Sequence, residues 1–223
     1  FKFDDIAVLH HVVTAFLTQL AFLLDLDHGA FGSHEIVVGD DVGLDEAFFE
    51  VRSDKKNPFI VYTEDMEVKA TGTAFNVEGY SNDTINAVTM VNGVVEVELD
   101  RSKERLNLKP GQRINYNTKR QNYRVEEVDT YKWCAWKDGK LIFRDEPLDD
   151  VFRKIGQVYN ADIVVMDKDL AKHMYRATFQ GETLDEILRL MKLTVPMKYI
   201  EKTSEKAMPN GVYSKRYIEV VRL

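Results

Sequence analysis

The feature that most restricts the fold of this 223-residue chain is a strand–helix–strand pattern that occurs twice in its last third. In the first copy, an alternating segment around Leu141 and Phe143 precedes an amphipathic helix with apolar residues spaced i, i+3, i+4 and i+7. The second copy aligns with the first: Phe143, Glu146, Leu148, Asp149, Asp150 and Val151 correspond to Phe179, Glu182, Leu184, Asp185, Glu186 and Ile187. Because one such unit cannot bury its own apolar face, the repeat predicts two copies that share a core.

Both predicted helices carry end signals in the sequence. Pro147 occupies a favoured first helical position, and Asn160 is expected to end that helix before a β-branched strand at 163–165. In the second copy, Thr183 and Glu186 have the spacing of a capping box, which marks the start of a helix. An α+β module is therefore predicted for residues 137–223. Its last strand is expected at 212–221, after the turn sequence Pro209-Asn210-Gly211.

The middle of the chain, residues 46–128, is predicted to be a β domain. Its short apolar runs are Phe48–Val51, Pro58–Tyr62, Met66–Lys69, Thr73–Val77, Ile85–Val91, Val94–Leu99, Leu106–Leu108, Ile114–Tyr116 and Tyr123–Val125. Many short strands at near-regular spacing indicate a sandwich or roll of antiparallel sheets. Asn92-Gly93 predicts a type I′ hairpin between two of these strands, because both central residues of that turn need positive φ.

The first 45 residues give a different pattern. Eight apolar residues between Ile6 and Leu24 fall on one helical face, so a core-packed helix is predicted for 1–28. An interfacial membrane helix is disfavoured because the polar face lacks the basic residues that such helices use. The acidic stretch 25–46 lacks the ligand spacing of a calcium loop and is interpreted as a solvated loop.

Composition excludes several classes of function. A formal net charge of −7 argues against nucleic-acid binding, which needs a basic face. The single cysteine, Cys134, excludes an internal disulfide and a cysteine-based zinc site. No signal peptide is recognisable, and the most apolar run, Val12–Leu24, is too short and too polar to span a membrane, so the chain as given is expected to be soluble.

The segment Glu126–Asp138 joins the two predicted halves and contains Trp133 and Trp136 on either side of the cysteine. Packing between domains is the favoured interpretation. A redox site or a base-stacking platform is disfavoured, because nothing basic accompanies the tryptophans in the sequence.

A search for catalytic motifs returns no nucleophile elbow, phosphate-binding loop, zinc-protease motif or dinucleotide fingerprint. The carboxylate pairs Asp149-Asp150 and Asp185-Glu186 occupy first helical turns, where the helix dipole favours them for structural reasons. His173 lies in a polar connector with no evident partner. We therefore expect no enzymatic activity, no cofactor and no metal.

Several segments resemble a known family in the same order along the chain. EAFFEVR from Glu46, NPFIV from Asn57, the run from Val68 to Tyr80, VNGVVEV from Val91 and LKPGQ from Leu108 resemble the periplasmic β domain of FecR-type anti-sigma factors. From Trp136 onward, the chain resembles the C-terminal module of FecR-type proteins of the Bacteroidetes. That module is similar to the short N-terminal domain of secretins and TonB-dependent transducers.

The resemblance covers residues 46–223, and residues 1–45 form a divergent segment. Family members usually have strands there, so the resemblance and the predicted helix disagree. The family-motif residues are expected to be structural: Phe49, Val51, Pro58, Phe59, Gly72, Phe75, Asn76, Val77, Gly93, Pro110, Gly111, Phe143, Leu148, Phe179 and Leu184.

The resemblance implies a periplasmic relay without catalysis. A TonB-dependent transducer in the outer membrane would present its signalling domain to this protein, which would regulate an extracytoplasmic-function sigma factor through a cytoplasmic segment absent from this chain. The parent protein would be anchored in the inner membrane by a single span. Exposed edge strands of the second module are the candidate contact sites.

A second hypothesis belongs to a different class, namely a carbohydrate- or metal-binding periplasmic β protein. Four tyrosines in the β domain are the candidate sugar-site residues: Tyr62, Tyr80, Tyr116 and Tyr123. A pocket with converging aromatic and carboxylate side chains would favour this hypothesis, whereas flat faces and open sheet edges would favour the relay.

Overall fold

A computed structural model describes residues 19–24, 34–37, 45–80, 83–202 and 215–223. The chain divides into two compact units. The first comprises the described residues up to Pro110 together with Ile114–Arg124, and the second comprises Gly111–Arg113 together with Val125–Leu223. No helix in these described ranges is long and apolar enough to cross a membrane.

The first unit is built on two β-sheets. The strands are β1 Gln19–Leu24, β2 His34–Val37, β3 Glu46–Val51, β4 Phe59–Tyr62, β5 Met66–Ala70, β6 Ala74–Glu78, β7 Ile85–Asn92, β8 Val95–Leu99, β9 Arg105–Leu108, β10 Gln112–Asn117 and β11 Asn122–Glu127. One sheet has the order β1-β3-β6-β7-β10-β11 and the other β2-β4-β5-β8-β9. The nine strands predicted between residues 46 and 128 are all confirmed, as is the predicted sandwich of mainly antiparallel sheets.

Hairpins alternate between the two sheets along the chain. β4 and β5 pair in the five-stranded sheet, β6 and β7 in the six-stranded sheet, and β8 and β9 in the five-stranded sheet again. The side chains between the sheets form one hydrophobic core, in which Phe49 lies 5.4 Å from Phe59 and 5.3 Å from Phe75, measured between ring centroids. All three phenylalanines are buried.

The predicted hairpin at Asn92-Gly93 is wrong. β7 pairs with β6, whereas β8 pairs with β5 and β9, so this turn carries the chain from one sheet to the other. Gly93 has a φ of 89°, but Asn92 is not among the residues with positive φ, so the turn is not type I′. A Cβ at Gly93 would lie 2.8 Å from the carbonyl oxygen of Gly72, which belongs to the connection between β5 and β6. The sequence predicts the turn correctly, but core packing decides where the next strand goes.

The predicted N-terminal helix is wrong where it can be compared with the structure. Gln19–Leu24 forms β1, which pairs in parallel with β3, as the family resemblance implies. A short apolar run fits a buried strand as well as a buried helix, and here pairing with the edge of β3 selects the strand. The predicted loop at 25–46 is also wrong at 34–37, which forms β2 in parallel with β4. The remaining parts of both predictions, residues 1–18, 25–33 and 38–44, lie outside the described residues.

The second unit contains the repeated module. After α1 Thr130–Cys134 and a 3₁₀ turn at Ala135–Asp138, its elements are β12 Lys140–Pro147, α2 Leu148–Val158, β13 Ala161–Val165, α3 Lys168–Ala171, β14 Met174–Gln180, α4 Leu184–Thr194, β15 Met197–Lys202 and β16 Arg216–Arg222. β12 and β14, the first strands of the two copies, pair with each other. β13 and β15, the second strands, are joined through β16 in the order β13-β16-β15. The two copies share one core, as the repeat predicts.

The helix ends follow the sequence with one shift. Thr183 and Glu186 form the predicted capping box, and Asn160 has a φ of 49°, the left-handed conformation that ends α2. Pro147 is the residue before the helix and not its first helical residue, which corrects the prediction. Because Pro147 still pairs with Met174 in the sheet, its backbone stays extended and the helix begins one residue later. Part of the last predicted strand is confirmed as β16, and residues 209–214 lie outside the described part.

Candidate functional site

The second unit has a sheet face that is partly apolar and open to solvent. The register of its three-stranded sheet places Val164 and Ile200 on either side of Glu219. Tyr217 and Val221 lie on the same face, because strand residues two positions apart point the same way. Val164 is 39% exposed and Ile200 46% exposed. We call Val164, Ile200, Tyr217 and Val221 the outer sheet face.

This face mixes apolar with charged side chains, because the register also places Asp162, Lys198, Lys202 and Glu219 on it. β13 and β16 run parallel in a mixed sheet, because the third strand, β15, is antiparallel to β16. Ile218 and Val220 of β16 point to the opposite side, where they are fully buried in the core. In the part of the chain that the structure describes, the outer sheet face thus carries β-branched and aromatic side chains that remain available to a partner.

Among the described residues, no further strand pairs with β13 or β15, the two edge strands of this sheet. Ile163 and Val165 pack against the core but are only half-buried, as expected for a strand with no neighbour on one side. β15 carries Lys198 and Lys202, and lysines on an edge strand discourage pairing with another chain. β13 has no basic residue, so it is the edge better suited to strand addition.

Helix α4 exposes a second, smaller apolar surface. Leu190 and Leu193 lie on its solvent side, and Leu193 is 78% exposed. Their spacing of three residues puts them on one face of the helix. These two leucines lie on a helix, whereas the outer sheet face is formed by strands. A substitution at one of them can therefore serve as a control for substitutions on the outer sheet face.

The carboxylate pairs identified in the sequence serve the helix starts. Asp149 and Asp150 lie in the first turn of α2, and Asp185 and Glu186 in that of α4. The carboxylate of Glu186 accepts hydrogen bonds from the backbone N–H of Thr183 at 2.8 Å and from its hydroxyl at 2.9 Å, and the backbone bond lowers the pKa of Glu186.

An ion-pair cluster connects α4 to the three-stranded sheet. The guanidinium of Arg216 donates to Asp185 at 2.7 Å and to both carboxylate oxygens of Glu201 at 2.7 and 2.8 Å. These bonds raise the pKa of Arg216 above its ordinary value, and the bond to Arg216 lowers the pKa of Glu201. The cluster fixes the start of α4 against β15 and β16.

The hydrogen bonds that the described part of the chain shows for His173 involve its backbone. The backbone carbonyl of His173 accepts a hydrogen bond from the N–H of Leu148, which ties the connector to the start of α2. The connector itself contains α3, whose first turn is capped by the side chain of Asp167. No group of three or more potential metal ligands occurs among the described residues.

A buried polar cluster lies in the first unit and was missed in the sequence. The carboxylate of Glu46 accepts hydrogen bonds from the Nδ2 of Asn76 at 2.9 Å and from the hydroxyl of Tyr80 at 2.7 Å. All three side chains are buried. The sequence analysis places Glu46 at the end of the predicted solvated loop 25–46 and Tyr80 among the possible sugar-site residues, because cross-strand neighbours are not visible in one sequence.

The four candidate sugar-site tyrosines divide among three places. Tyr80 belongs to the buried polar cluster, and Tyr62 is half-buried on β4. Tyr116 and Tyr123 come together in one open cleft of the first unit, where the hydroxyl of Tyr123 donates to Glu104 at 2.6 Å. The structure thus places two of the four tyrosines in the same cleft.

The family-motif residues lie in cores and turns. The first core contains Phe49, Phe59, Phe75 and Val77, with Val51 half-buried against it, and the second core contains Phe143, Leu148, Phe179 and Leu184. Asn76 belongs to the buried polar cluster. The turns and strand ends hold the remaining five residues, Pro58, Gly72, Gly93, Pro110 and Gly111. Their structural role in the family stays a prediction.

The tryptophans of the connecting segment have basic neighbours, which corrects one premise of the sequence analysis. The guanidinium of Arg113 lies 3.7 Å from the ring centroid of Trp133, and the ammonium of Lys132 lies 4.2 Å from it. Arg113 is distant in sequence, so this contact could not be recognised there. Because Arg113 is buried, it is not open to a nucleic acid. Trp136 packs against the core of the second unit.

Comparisons with known proteins agree with this architecture. The profile of the FecR protein family matches residues 35–96, and the profile of the FecR C-terminal domain matches residues 140–207. Two crystal structures of a candidate anti-sigma factor from Parabacteroides distasonis ATCC 8503 are similar in fold. One, at 1.65 Å resolution, has a TM-score of 0.64 and 26% identity, and the other, at 2.50 Å, has 0.61 and 27%. Each alignment covers 80% of this chain and 77% of the other. No curated protein matches the chain.

Proposed function

The chain belongs to the FecR family of anti-sigma factors, and from that premise we propose that it relays the state of a TonB-dependent outer-membrane transducer to an extracytoplasmic-function sigma factor. An anti-sigma factor acts in signal transduction, and its family is a regulatory one. In our proposal the chain works in the periplasm through protein contacts and catalyses no reaction. The parent protein would be anchored in the inner membrane and would reach the sigma factor through a cytoplasmic segment.

The observation that carries this proposal is the outer sheet face together with the open edge of β13. A partner strand that pairs with β13 would satisfy its free backbone groups, and neighbouring side chains would bury Val164. The face is small, as expected for a transient signalling contact. We therefore propose it as the site that receives the signalling domain of the transducer.

A binding measurement tests the proposal directly. The full chain would be immobilised, and purified signalling domains of TonB-dependent transducers from the same organism would be titrated in biolayer interferometry. We expect one of them to bind, and Val164→Glu to weaken that binding at least tenfold, a loss of about 1.4 kcal/mol or more. A buried carboxylate without a partner is costly at an interface.

Leu193→Glu is the matched control. It places the same charge on another exposed apolar residue, on α4, and should leave the affinity unchanged. The proposed site is wrong if both substitutions weaken binding equally, and the proposed relay is wrong if none of the signalling domains binds.

A further inference from the structure

An open cleft of about 400 Å³ lies in the first unit, between two turns that come from different sheets. One turn joins β8 to β9 and contributes Arg101, Ser102 and Glu104, and the other joins β10 to β11 and contributes Gln121 and Asn122. The volume falls within the range of about 300–1,000 Å³ that is typical of small-ligand sites.

The two turns have the same construction. The N–H of Lys103 donates to the carbonyl of Leu99 at 2.8 Å, and the N–H of Gln121 donates to the carbonyl of Asn117 at 2.8 Å. Lys103 and Gln121 both have positive φ, at 55° and 54°. Residues other than glycine are held in this conformation only where the surroundings fix it. The rims of the cleft are therefore defined backbone structures.

A hydrogen bond ties one rim to the other. The hydroxyl of Tyr123 donates to Oε1 of Glu104 at 2.6 Å, and this bond raises the pKa of Tyr123 above its ordinary value. Leu99 and Tyr116, both buried, complete the lining. The cleft thus combines an apolar and aromatic base with exposed polar walls.

The chemistry of the walls selects a class of ligand. The walls carry both signs of charge, on Arg101, whose Nε also lies 3.8 Å from a carboxylate oxygen of Asp65, and on Glu104, so no cluster of like charges selects an anion or a cation. The guanidinium, the carboxylate and the amides of Gln121 and Asn122 supply planar donors and acceptors next to an aromatic ring. A ligand with many hydroxyl groups and an apolar C–H face uses both kinds of surface, because the hydroxyls both donate and accept.

We propose that this cleft binds a short neutral oligosaccharide, with a sugar ring against Tyr123 and its hydroxyls bonded to Arg101, Glu104 and the two amides. The proposed site lies in the first unit and is independent of the partner contact proposed for the second. Its occupant would give the β domain a ligand-binding role beside signal relay.

Nuclear magnetic resonance on the full chain tests this. Maltohexaose, cellohexaose and laminarihexaose would each be titrated to roughly 10 mM into ¹⁵N-labelled protein, which detects a complex with a Kd of about 1 mM. We expect at least one of them to shift the backbone amides of 101–104 and 121–123 in a saturable manner. Tyr123→Ala should weaken that binding at least tenfold, and Tyr123→Phe, which keeps the ring, should weaken it less.

Tyr131→Ala serves as the control, because Tyr131 is also exposed but lies outside the cleft. It should leave the affinity unchanged, and the amide spectrum of each variant shows whether the fold is retained. The proposal is overturned if none of the three oligosaccharides shifts these amides, or if Tyr131→Ala weakens binding as much as Tyr123→Ala.

Discussion

Thr73 places a buried hydroxyl at the point where the chain passes between the sheets of the first unit. Its side chain is only 5% exposed, and its Oγ1 has no hydrogen-bond partner among the described residues. The backbone of Thr73 is satisfied, because it exchanges two hydrogen bonds with Val51, at 2.8 and 3.0 Å. The unpaired hydroxyl therefore costs free energy without supporting the fold.

Thr73→Val should increase stability. Valine has the same shape and lacks the hydroxyl, so the desolvation cost is removed while the backbone pairing stays, and the free energy of unfolding should rise by about 1 kcal/mol. Urea denaturation would show a higher midpoint with an unchanged slope. Thr89→Val is the control: Thr89 is also fully buried but has an interaction partner, so this substitution should lower the midpoint.

Gly156 is a residue whose importance is not visible in the sequence. It lies inside α2, where glycine is unfavourable by about 1 kcal/mol relative to alanine. A Cβ at this position would lie 2.5 Å from the carbonyl oxygen of Ala161, at the start of β13. The helix and the following strand approach each other so closely that only glycine fits.

We expect Gly156→Ala to destabilise the second unit although it improves helix propensity. Forcing a methyl group against a backbone oxygen costs about 1–3 kcal/mol, which outweighs the gain of about 1 kcal/mol in propensity. Thermal denaturation would report a lower midpoint. Arg153→Ala on the exposed side of the same helix should change it little, and equal stability of the Gly156→Ala variant and the natural chain would contradict the close contact.

At the scale of elements, the start of α4 makes stability depend on pH. The pKa of Glu186 is lowered from 4.5, mainly because its carboxylate accepts the backbone N–H of Thr183. A lowered pKa in the folded state means that the stabilisation is fully present above pH 4.5 and is lost as the pH falls through the folded-state value.

Glu186→Gln should remove this pH dependence. The variant keeps the length of the side chain but has no charge to lose, so its stability deficit relative to the natural chain should be greatest above pH 4.5 and should shrink in more acidic solution. Denaturation midpoints measured at neutral pH and at acidic pH would check this. A deficit that stays constant over that range would show that the charge of Glu186 contributes nothing to the cap.

The elements that the sequence predicts well are those whose signal is local. The strands from residue 46 onward, the capping box and the helix end at Asn160 each depend on a few neighbouring residues, and all are confirmed. The pairing of these elements depends on contacts between distant residues. For that reason the strand after Gly93 was assigned to the wrong sheet, and Gln19–Leu24 was assigned to a helix.

In the candidate sites too, residue types are recognisable in the sequence, whereas the arrangement of those residues depends on contacts between distant parts of the chain. Tyr116 and Tyr123 could be proposed as ligand residues from their type, but the cleft they share is made by two turns from different sheets. Open edges of the second module are expected from the sequence, but β13 and β15 become the two edges of one sheet only because β16 lies between them, and a crossover of this kind is not encoded in local pattern.

At the scale of the whole molecule, the described residues form two hydrophobic cores that share no residue. The first is built from strands that face each other across a sandwich, and the second from helices α2, α3 and α4 and the sheets of the repeated module. Apolar burial is the main source of stability in each. A loss of packing in one core should therefore lower the stability of the elements around that core, because local unfolding follows contiguous packed units.

Phe152→Ala tests this separation. Phe152 is fully buried in the second core, and removing its ring should cost about 3–5 kcal/mol. In hydrogen exchange on the full chain, amides of α2, β13 and β16 should lose protection while those of β6 and β7 keep theirs. Phe75→Ala, in the first core, should give the opposite pattern. If either substitution exposes both sets of amides equally, the two cores unfold as one cooperative unit, and a partner bound to the second unit would then stabilise the first as well.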